Sequence, residues 1–506
     1  MRVQVGVETM IKKYGHWVIL VLILYVITVI YMISTLRSDT ASTLGNYYTG
    51  QRSVQTGENR NADKKSINSV IVESAEDDLL NPNVRRNILI ERSNNEDKQN
   101  DDAPSLLHKA VTKQSTNGLK LTNVSFIPIG NRFHVYSAYF DDRLPDSYIR
   151  IIGTGPGNKP KHKSGFWCIY DQQKQRLNRN STMATEIRLS ETCENHKKNN
   201  SFYMLSCLVP KIIVKEFRKN EISRVLIGAE KSRYNGITMA VVNNSPFRAK
   251  NKTMSTFSMC VPSLYGYPKP LHFVEFIELS RQLGVEHFVF YTQSITHEMI
   301  NILKFYETEG IVTILPWNIP KPDDIWNYGQ SAAVADCLYR TMFKSKIVSF
   351  NDVDEFIIPR HLKSWDTMLV YLEKQNLRRT KNVAAYKFKS VFFHGNSEYL
   401  TSERRMFKTL NNILRTSEES AIRTKMWVYP ETVFELGIHH LSQAIKSDLE
   451  TIDVDSEMAL VHHYRRCDDV YDMKCGNFID DYTAQRYGEI LIYNTRNVLR
   501  RVKKDL

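Results

Sequence analysis

Segments with helical and strand-like spacing of apolar residues alternate along the second half of the chain. Residues 269–284, KPLHFVEFIELSRQLG, carry apolar side chains at helical spacing and end in a glycine, so the pattern predicts a helix there. Further helices are predicted at 297–310 and 331–344, and buried strands at 285–292, 311–317 and 345–350. Strands that alternate with helices in this way predict an α/β fold, with a mostly parallel sheet flanked by helices. This domain is assigned to residues 251–490.

The chain before residue 251 has a different pattern. Residues 119–250 contain short β-like runs between Gly, Pro and Asn turns, which predicts a β-rich region. Residues 37–118 are polar, mix both charges and lack apolar periodicity, which is typical of a disordered stem.

Residues 17–36, WVILVLILYVITVIYMISTL, form an uncharged apolar run. Its 20 residues are enough to cross the hydrocarbon core of a bilayer as a helix. Two lysines precede the run, whereas the arginine after it is balanced by an aspartate. The positive-inside rule therefore favours a cytosolic tail of residues 1–16 and a lumenal remainder. A secretory signal peptide is the competing interpretation, but the run is long for a signal core and no small-residue cleavage site is evident.

Five Asn-x-Ser/Thr sequons support a lumenal location, because such sequons are glycosylation acceptors in secreted proteins. They begin at Asn123, Asn180, Asn199, Asn243 and Asn251. The seven cysteines are compatible with the same compartment, and their odd number leaves at least one thiol free or intermolecular. Cys467 and Cys475 are near enough in sequence to close a short loop.

The net charge of +13 at pH 7 raises the question of nucleic-acid binding. The Lys and Arg residues are dispersed, and no basic block is interleaved with aromatic residues, so nucleic acid is not an expected partner. A basic surface equally suits anionic nucleotide-sugars or lipid headgroups.

An acidic motif follows the last predicted strand. Asp352, Asp354 and Glu355 come directly after the apolar run that ends at Phe350. If the chain stays extended, Asp352 and Asp354 project from the same face, where two carboxylates need a cation such as Mn²⁺ or Mg²⁺. A metal held in this way would neutralise a nucleoside diphosphate leaving group. The alternative is a solvated acidic turn, which the apolar flanks on both sides disfavour.

Five segments of the chain carry a family resemblance. They are CVPSLYGYPKPLHFVEFIELSRQLGVEHFVFY, YGQSAAVADCLYR, IVSFNDVDEFIIP, KMWVYPETVFELGIHH and HHYR, in this order between residues 255 and 465. This part of the chain resembles glycosyltransferase family 92, whose catalytic domain has the GT-A fold. The resemblance implies a single-pass type II Golgi membrane enzyme that transfers a hexose with inversion. It also implies UDP-galactose as donor, Mn²⁺ or another divalent cation as cofactor, and a glycan or glycoprotein acceptor such as fucose on N-glycan cores.

The family's Asp-x-Asp motif corresponds to Asp352 and Asp354. The resemblance implies that Asp354 ligates the metal directly and that Asp352 contacts the ribose or positions the metal. Nucleotide-sugar contacts are expected from Tyr265, Gln330, Asp336, Asp352, Lys425 and Arg465. For Gln330 and Asp336 the alternative is helix capping, and for the two cations it is ordinary solvent exposure.

A late histidine often completes the metal site of GT-A enzymes, and neutral imidazole is a suitable ligand. The candidates are His439, His440, His462 and His463, of which His439 and His463 are preferred.

An inverting transferase also needs a general base, by analogy with the carboxylate of inverting glycosidases. Glu398 is the chosen candidate, with Glu403, Glu418 and Glu419 also in range. The tryptophans Trp317, Trp326 and Trp427 either stack on sugar faces or pack in the core, and packing is the commoner role.

Two other functional classes compete with this prediction. A phosphatase or phosphotransferase of the haloacid dehalogenase type also places Asp-x-Asp after a buried strand, but Phe356 stands where that class has Thr or Val. A non-catalytic type II lectin-like or adhesion protein would keep the fold and lose activity. Metal-dependent hydrolysis of UDP-galactose separates that alternative from a transferase.

Overall fold

The computed structural model describes residues 125–130, 132–157, 165–170, 183–192, 194–229, 236–244, 255–266, 269–378, 382–395, 400–467 and 475–504. The predicted anchor at 17–36 and stem at 37–118 lie outside these residues. Across the described ranges, no helix is both long and apolar enough to cross a membrane.

Residues 127–243 contribute a nine-stranded sheet. Its strands are β1 Ile127–Ile129, β2 Phe133–Asp141, β3 Tyr148–Pro156, β4 Trp167–Tyr170, β5 Met183–Glu186, β6 Arg188–Glu191, β7 Asn200–Leu208, β8 Arg224–Gly228 and β9 Gly236–Asn243. The order is β5-β4-β8-β9-β2-β3-β7-β6, with β1 beside β2, and only the β2–β9 pair is parallel among the pairings of this sheet. A short helix, α1 Val214–Lys219, connects β7 to β8, and a disulfide joins Cys168 to Cys207. The short β-like runs of this region are strands, as the sequence predicts.

The remaining elements follow from residue 255 onwards. The strands are β10 Ser255–Tyr265, β11 His287–Ser294, β12 Val312–Pro316, β13 Ser345–Phe350, β14 Glu355–Pro359, β15 Asn382–Phe392, β16 Leu414–Thr416, β17 Ser420–Val428, β18 Val433–Leu436, β19 Leu441–Ala444, β20 Leu449–Asp453, β21 Ala459–His463 and β22 Phe478–Asp480. The helices are α2 Pro270–Leu283, α3 His297–Thr308, α4 Gln330–Thr341, α5 Trp365–Arg378, α6 Lys408–Asn411 and α7 Gly488–Lys504. All six elements predicted from apolar spacing between 269 and 350 are confirmed, with their ends moved by a few residues.

A second nine-stranded sheet has the order β12-β11-β10-β13-β17-β15-β21-β14, with β20 beside β15. Its first four strands are parallel, as the alternation of helices and strands predicts. Beyond β13 the sheet is mixed, because β17 runs antiparallel to both neighbours and β14 runs antiparallel to β21. The fold is therefore mixed α/β, and the mixed part of the sheet beyond β13 was not part of the predicted pattern.

Helices cover both faces of this second sheet. On one face, Phe273, Phe276 and Ile277 of α2 pack with Phe288 of β11 in a buried cluster, and α7 packs against α2. The predicted domain end at residue 490 falls within α7.

On the other face, α4 lies between the two sheets. Its Leu338 belongs to the same buried cluster as Ile152 of the first sheet and Val348 of the second. A disulfide between Cys260 of β10 and Cys337 fixes α4 to the second sheet. The predicted Cys467–Cys475 disulfide is also present.

A buried carboxylate on α2 fixes the start of α6. Glu275 is 1% exposed, and it accepts hydrogen bonds from the backbone N–H groups of Lys408 and Thr409 at 2.9 and 2.7 Å. The hydroxyl of Thr409 donates a third at 2.6 Å. Burial raises the pKa of Glu275 from 4.5 to about 7, even though these donors favour the charged form.

This raised pKa predicts a pH-dependent stability. The folded protein binds a proton at Glu275 that the unfolded chain has lost, so this stabilisation is present below pH 4.5 and disappears as the pH rises through about 7. The full change is about 3 kcal/mol in the free energy of unfolding. Denaturant unfolding at pH 5 and pH 7.5 should show this change. The Glu275→Gln variant should lack this contribution to the pH dependence of the free energy of unfolding. Glu307→Gln, on the exposed surface of α3, serves as the control. An equal pH slope in wild type and Glu275→Gln would contradict the prediction.

Candidate active site

A cavity of about 750 Å³ opens beyond the carboxyl ends of β10 and β13. Asp352 and Asp354 both line it, together with Glu355, the first residue of β14. The expectation of an extended chain through this motif is wrong, because the N–H of Glu355 donates to the carbonyl of Asp352 over 3.1 Å and closes a turn. A turn, and not the alternation of side chains along a strand, therefore brings the carboxylates together.

Lys425 of β17 neutralises part of this acidic cluster. It is 2% exposed, and its Nζ lies 2.6 Å from Glu355 and 3.2 Å from Asp352. Although burial opposes the charge, the two carboxylates raise the pKa of Lys425. Burial likewise opposes ionisation of Glu355, but the charge of Lys425 lowers its pKa. The expected phosphate contact from Lys425 is thus not supported. Its ammonium group pairs with Asp352 and Glu355, and Lys425 does not line the cavity.

The remaining charge of the cluster lies on the two aspartates. Burial raises the pKa of Asp352 to about 6 against the opposing effect of Lys425. For Asp354, burial also opposes ionisation, but the neighbouring His463 lowers the pKa. Asp354 is therefore the more firmly ionised of the two at neutral pH.

A chain of side-chain hydrogen bonds leads from the end of β10 to this cluster. The hydroxyl of Tyr265 donates to Asn327 at 3.3 Å, the amide of Asn327 donates to Gln330 at 2.6 Å, and the amide of Gln330 donates to Asp352 at 3.3 Å. Asn327 and Tyr328 have φ values of 42° and 54°, which turn the backbone sharply before α4. The structure thus brings Tyr265 and Gln330 together with Asp352, as the sequence predicts, through an asparagine that the sequence analysis missed.

Asp336 does not reach the cavity, and its predicted donor contact is wrong. Its carboxylate is fully buried and accepts hydrogen bonds from Ser137, Tyr139, Tyr291 and Arg340. Asp336 lies six residues after Gln330, about 240° further round α4, so it points away from the cavity, towards tyrosines of both sheets, when Gln330 faces the cavity.

The four late histidines have different surroundings. His463 lines the cavity, with Nε2 at 3.6 Å from Asp354 and Nδ1 at 3.6 Å from Glu355. His439 also lines it, and its Nδ1 lies 2.8 Å from the carbonyl of Thr424, so Nδ1 carries the proton and Nε2 has the lone pair. Burial lowers the pKa of His439 to about 4, which keeps the ring neutral.

The other two histidines lie away from the cavity. His462 is buried, its ring stacks on Phe393 at 4.3 Å, and burial lowers its pKa to about 3. His440 is half exposed and lies 3.6 Å from Glu194.

The described candidates for the general base do not line the cavity. Glu398 lies outside the described residues. Glu403 forms an ion pair with Arg496, Glu419 accepts a hydrogen bond from Ser456 at 2.6 Å, and neither lines the cavity, nor does Glu418. Among the tryptophans, Trp317 and Trp427 are fully buried in the core, whereas Trp326 lines the cavity. Arg465 lines it as predicted.

Two of the five glycosylation candidates lie within the described residues. Asn199 is exposed, and its amide lies 3.4 Å from Asp324. Asn243 is partly buried and donates to the carbonyl of Phe217 at 2.6 Å. Asn123, Asn180 and Asn251 lie outside the described residues.

Comparison with known proteins identifies a family in the second half of the chain. Residues 255–500 match the profile of glycosyltransferase family 92. The second half of the chain contains a glycosyltransferase family 92 domain. The matched residues run from the first strand of the second sheet into α7, so the family 92 domain includes that sheet and most of the cavity. The chain is accordingly a galactosyltransferase-like glycosyltransferase.

Individual relatives carry related names. The chain is 26% identical to the beta-1,4-galactosyltransferase galt-1 of Caenorhabditis elegans over 68% of its own length and 76% of that protein. It is 27% identical to a glycosyltransferase family 92 protein of Caenorhabditis elegans, F13G3.3, over 29% of this chain and 33% of that one. It is also 27% identical to the galactan beta-1,4-galactosyltransferase GALS2 of Arabidopsis thaliana, over 36% of this chain and 35% of that one. The chain thus spans only about a third of the last two relatives.

Three cavity residues precede the family 92 domain. Glu194, His196 and Lys198 belong to the segment that joins β6 to β7, and they line the cavity beside Trp326. No pattern in the sequence marks these residues, because their contact with the domain depends on how the first sheet packs against it.

Proposed function

We propose that this family 92 protein is a metal-dependent inverting glycosyltransferase that transfers galactose from UDP-galactose to a glycan acceptor, such as fucose on N-glycan cores. The observation that carries the proposal is that Asp352 and Asp354 line one cavity with the hydrogen-bonded chain from Tyr265. The names of the galactosyltransferase relatives support galactose as the transferred sugar. Inversion, the use of UDP and the acceptor are drawn from the family resemblance.

The cavity residues suit a divalent cation. Carboxylate oxygens of Asp352 and Asp354 and an imidazole nitrogen of His463 are ligands that Mn²⁺ accepts. Nδ1 of His463 is buried and makes no hydrogen bond within the described residues, although Glu355 lies 3.6 Å away. Within the part of the chain that the structure describes, no three such groups are placed to hold an ion by themselves. That arrangement fits a cation that takes its other ligands from a diphosphate, whose leaving-group charge it would neutralise.

The side chains around this site have separable roles in transfer. The acceptor oxygen forms a bond to the anomeric carbon while the bond to the diphosphate breaks and its electrons leave with UDP. Arg465 and Arg423 line the cavity and provide positive charge for the diphosphate. Lys425 holds Asp352 in place and does not contact substrate. The acceptor proton passes to a carboxylate base, for which Glu398 remains the predicted residue.

The proposed location is the Golgi membrane, as a single-pass type II protein anchored through residues 17–36 with the domain in the lumen. Three disulfides within the described residues support an oxidising compartment.

A matrix of nucleotide-sugars and glycan acceptors tests the proposal. We expect UDP-galactose to be the preferred donor. With EDTA, transfer should fall by about 10³-fold and return when Mn²⁺ is added. Donor binding without turnover on any acceptor would instead support a lectin-like protein.

A further inference from the structure

The first sheet supplies one wall of the cavity. The segment 194–199 lies between β6 and β7, before the start of the family 92 domain at residue 255. Glu194, His196 and Lys198 of this segment all line the cavity. The family 92 domain alone therefore lacks this wall of the cavity.

The wall is attached to the domain on two sides. The carboxylate of Glu194 accepts hydrogen bonds from the backbone N–H of Ile438 at 3.1 and 3.0 Å. On the other side, Nζ of Lys198 donates to the carbonyl of Asp323 at 3.2 Å, and Asn200 forms a parallel bridge with Ile325. The segment between these attachments is thereby held over the cavity.

His196 lies between these attachments and stacks on Trp326. The ring centroids are 4.0 Å apart and the planes are inclined by 24°. His196 and Lys197 have φ values of 53° and 60°, a region that costs non-glycine residues about 1 kcal/mol or more each. Such a conformation persists only where neighbouring contacts determine it, and here it places an imidazole face against the indole.

The stacked pair lies next to the start of the hydrogen-bonded chain that ends at Asp352. Trp326 immediately precedes Asn327, which binds both Tyr265 and Gln330. The ring of Tyr265 lies 4.2 Å from that of Tyr328. Aromatic faces are thus concentrated at the opposite end of this chain from the carboxylates. A flat heteroaromatic group with polar edges matches this end, and a diphosphate beside a cation matches the other.

We propose that His196 and Trp326 form the platform on which the nucleoside base of the donor stacks. This inference rests on the proposed use of a UDP-sugar. The first sheet then completes the donor site, and His196 and Trp326 are further donor-binding residues. Trp326 is 38% exposed, which leaves indole surface accessible to a ligand.

Binding of UDP in the presence of Mn²⁺, measured by titration calorimetry on the full chain, tests the platform. His196→Ala and Trp326→Ala should each weaken UDP binding by roughly 5- to 100-fold, the range for removing one base–aromatic stack. His196→Phe keeps a flat face and should retain most of the affinity. The double variant should lose less than the product of the single losses, because the two rings form one stack. The acceptor KM should stay the same in all four variants.

His361→Ala and Tyr493→Ala are matched controls, since both side chains are exposed and lie outside the cavity. They should bind UDP like wild type. Wild-type UDP affinity in His196→Ala and Trp326→Ala would overturn the platform and leave the proposed donor intact. A raised acceptor KM with unchanged UDP affinity would also overturn it, by assigning the pair to the acceptor. Failure of wild type to bind UDP would refute the proposed donor and the platform together.

Discussion

Replacement of Asp354 by asparagine is expected to lower kcat/KM for sugar transfer by about 10³-fold or more, with the protein still folded. The carboxylate lines the cavity, and the neighbouring His463 lowers its pKa against the effect of burial, so it is charged at neutral pH. Asparagine keeps the size of the side chain and removes that charge. The fold should survive, because the backbone carbonyl of Asp354, and not its side chain, accepts the hydrogen bond from Tyr464 at 2.8 Å.

The matched control for this variant is Asp453→Asn. Asp453 ends β20, its side chain is 68% exposed, and it pairs with Lys387 at 2.7 Å outside the cavity. Its substitution should leave transfer within about twofold of wild type, as expected for a surface ion pair. Rates should be measured across a range of Mn²⁺ concentrations with unfolding curves for both variants. Full activity of a folded Asp354→Asn protein would remove the carboxylate–metal basis of the proposed function.

The part of the fold that the sequence predicts is the part that local periodicity controls. Helix α2 ends at Leu283 and is capped by Gly284, whose φ of 127° suits glycine. The apolar spacing of the helix identifies the buried face that contains Phe273 and Ile277. The same reasoning places an acidic motif after a buried strand. It fails at the motif itself, because the turn between Asp352 and Glu355 depends on β14 pairing with β21 about a hundred residues later in the sequence.

Residues whose role depends on distant packing were missed or misassigned. Helical position alone separates Gln330 from Asp336, but no local signal indicates which face of α4 meets the cavity. The packing of α4 between the two sheets decides it, since Tyr139 of β2 and Tyr291 of β11 both bind Asp336. His196 was missed for the same reason, as its partner Trp326 lies 130 residues later in the sequence. In this protein the sequence predicts site residues where they are adjacent in the chain. It does not predict them where two sheets form the site together.

The buried charge of Lys425 leads to the largest expected loss of stability. Lys425→Met keeps an unbranched side chain of similar length, so little volume is lost. It leaves Asp352 and Glu355 without the cation that lies 3.2 and 2.6 Å from them. Removing one partner of a buried charge pair costs about 3–5 kcal/mol, and the free energy of unfolding from denaturant titration should fall by that amount.

Lys387→Met is the matched control, because Lys387 pairs with Asp453 on the neighbouring strand β20 but keeps 30% of its side chain exposed. It should lose about 1 kcal/mol or less. A double-mutant cycle with Glu355→Gln isolates the electrostatic contribution. Once the glutamate is neutral, the additional loss from Lys425→Met should shrink by 1 kcal/mol or more.

Mn²⁺ should stabilise Lys425→Met more than wild type, because the acids that have lost Lys425 attract the cation more strongly and ligand binding adds to the free energy of unfolding. The comparison separates two explanations of the acidic cluster. If Lys425 serves only the fold, Mn²⁺ should raise the stability of both proteins equally or of neither. A larger rise in the variant would mean that the lysine and the metal compete for the same carboxylates, so that Lys425 sets how strongly these carboxylates attract the cation.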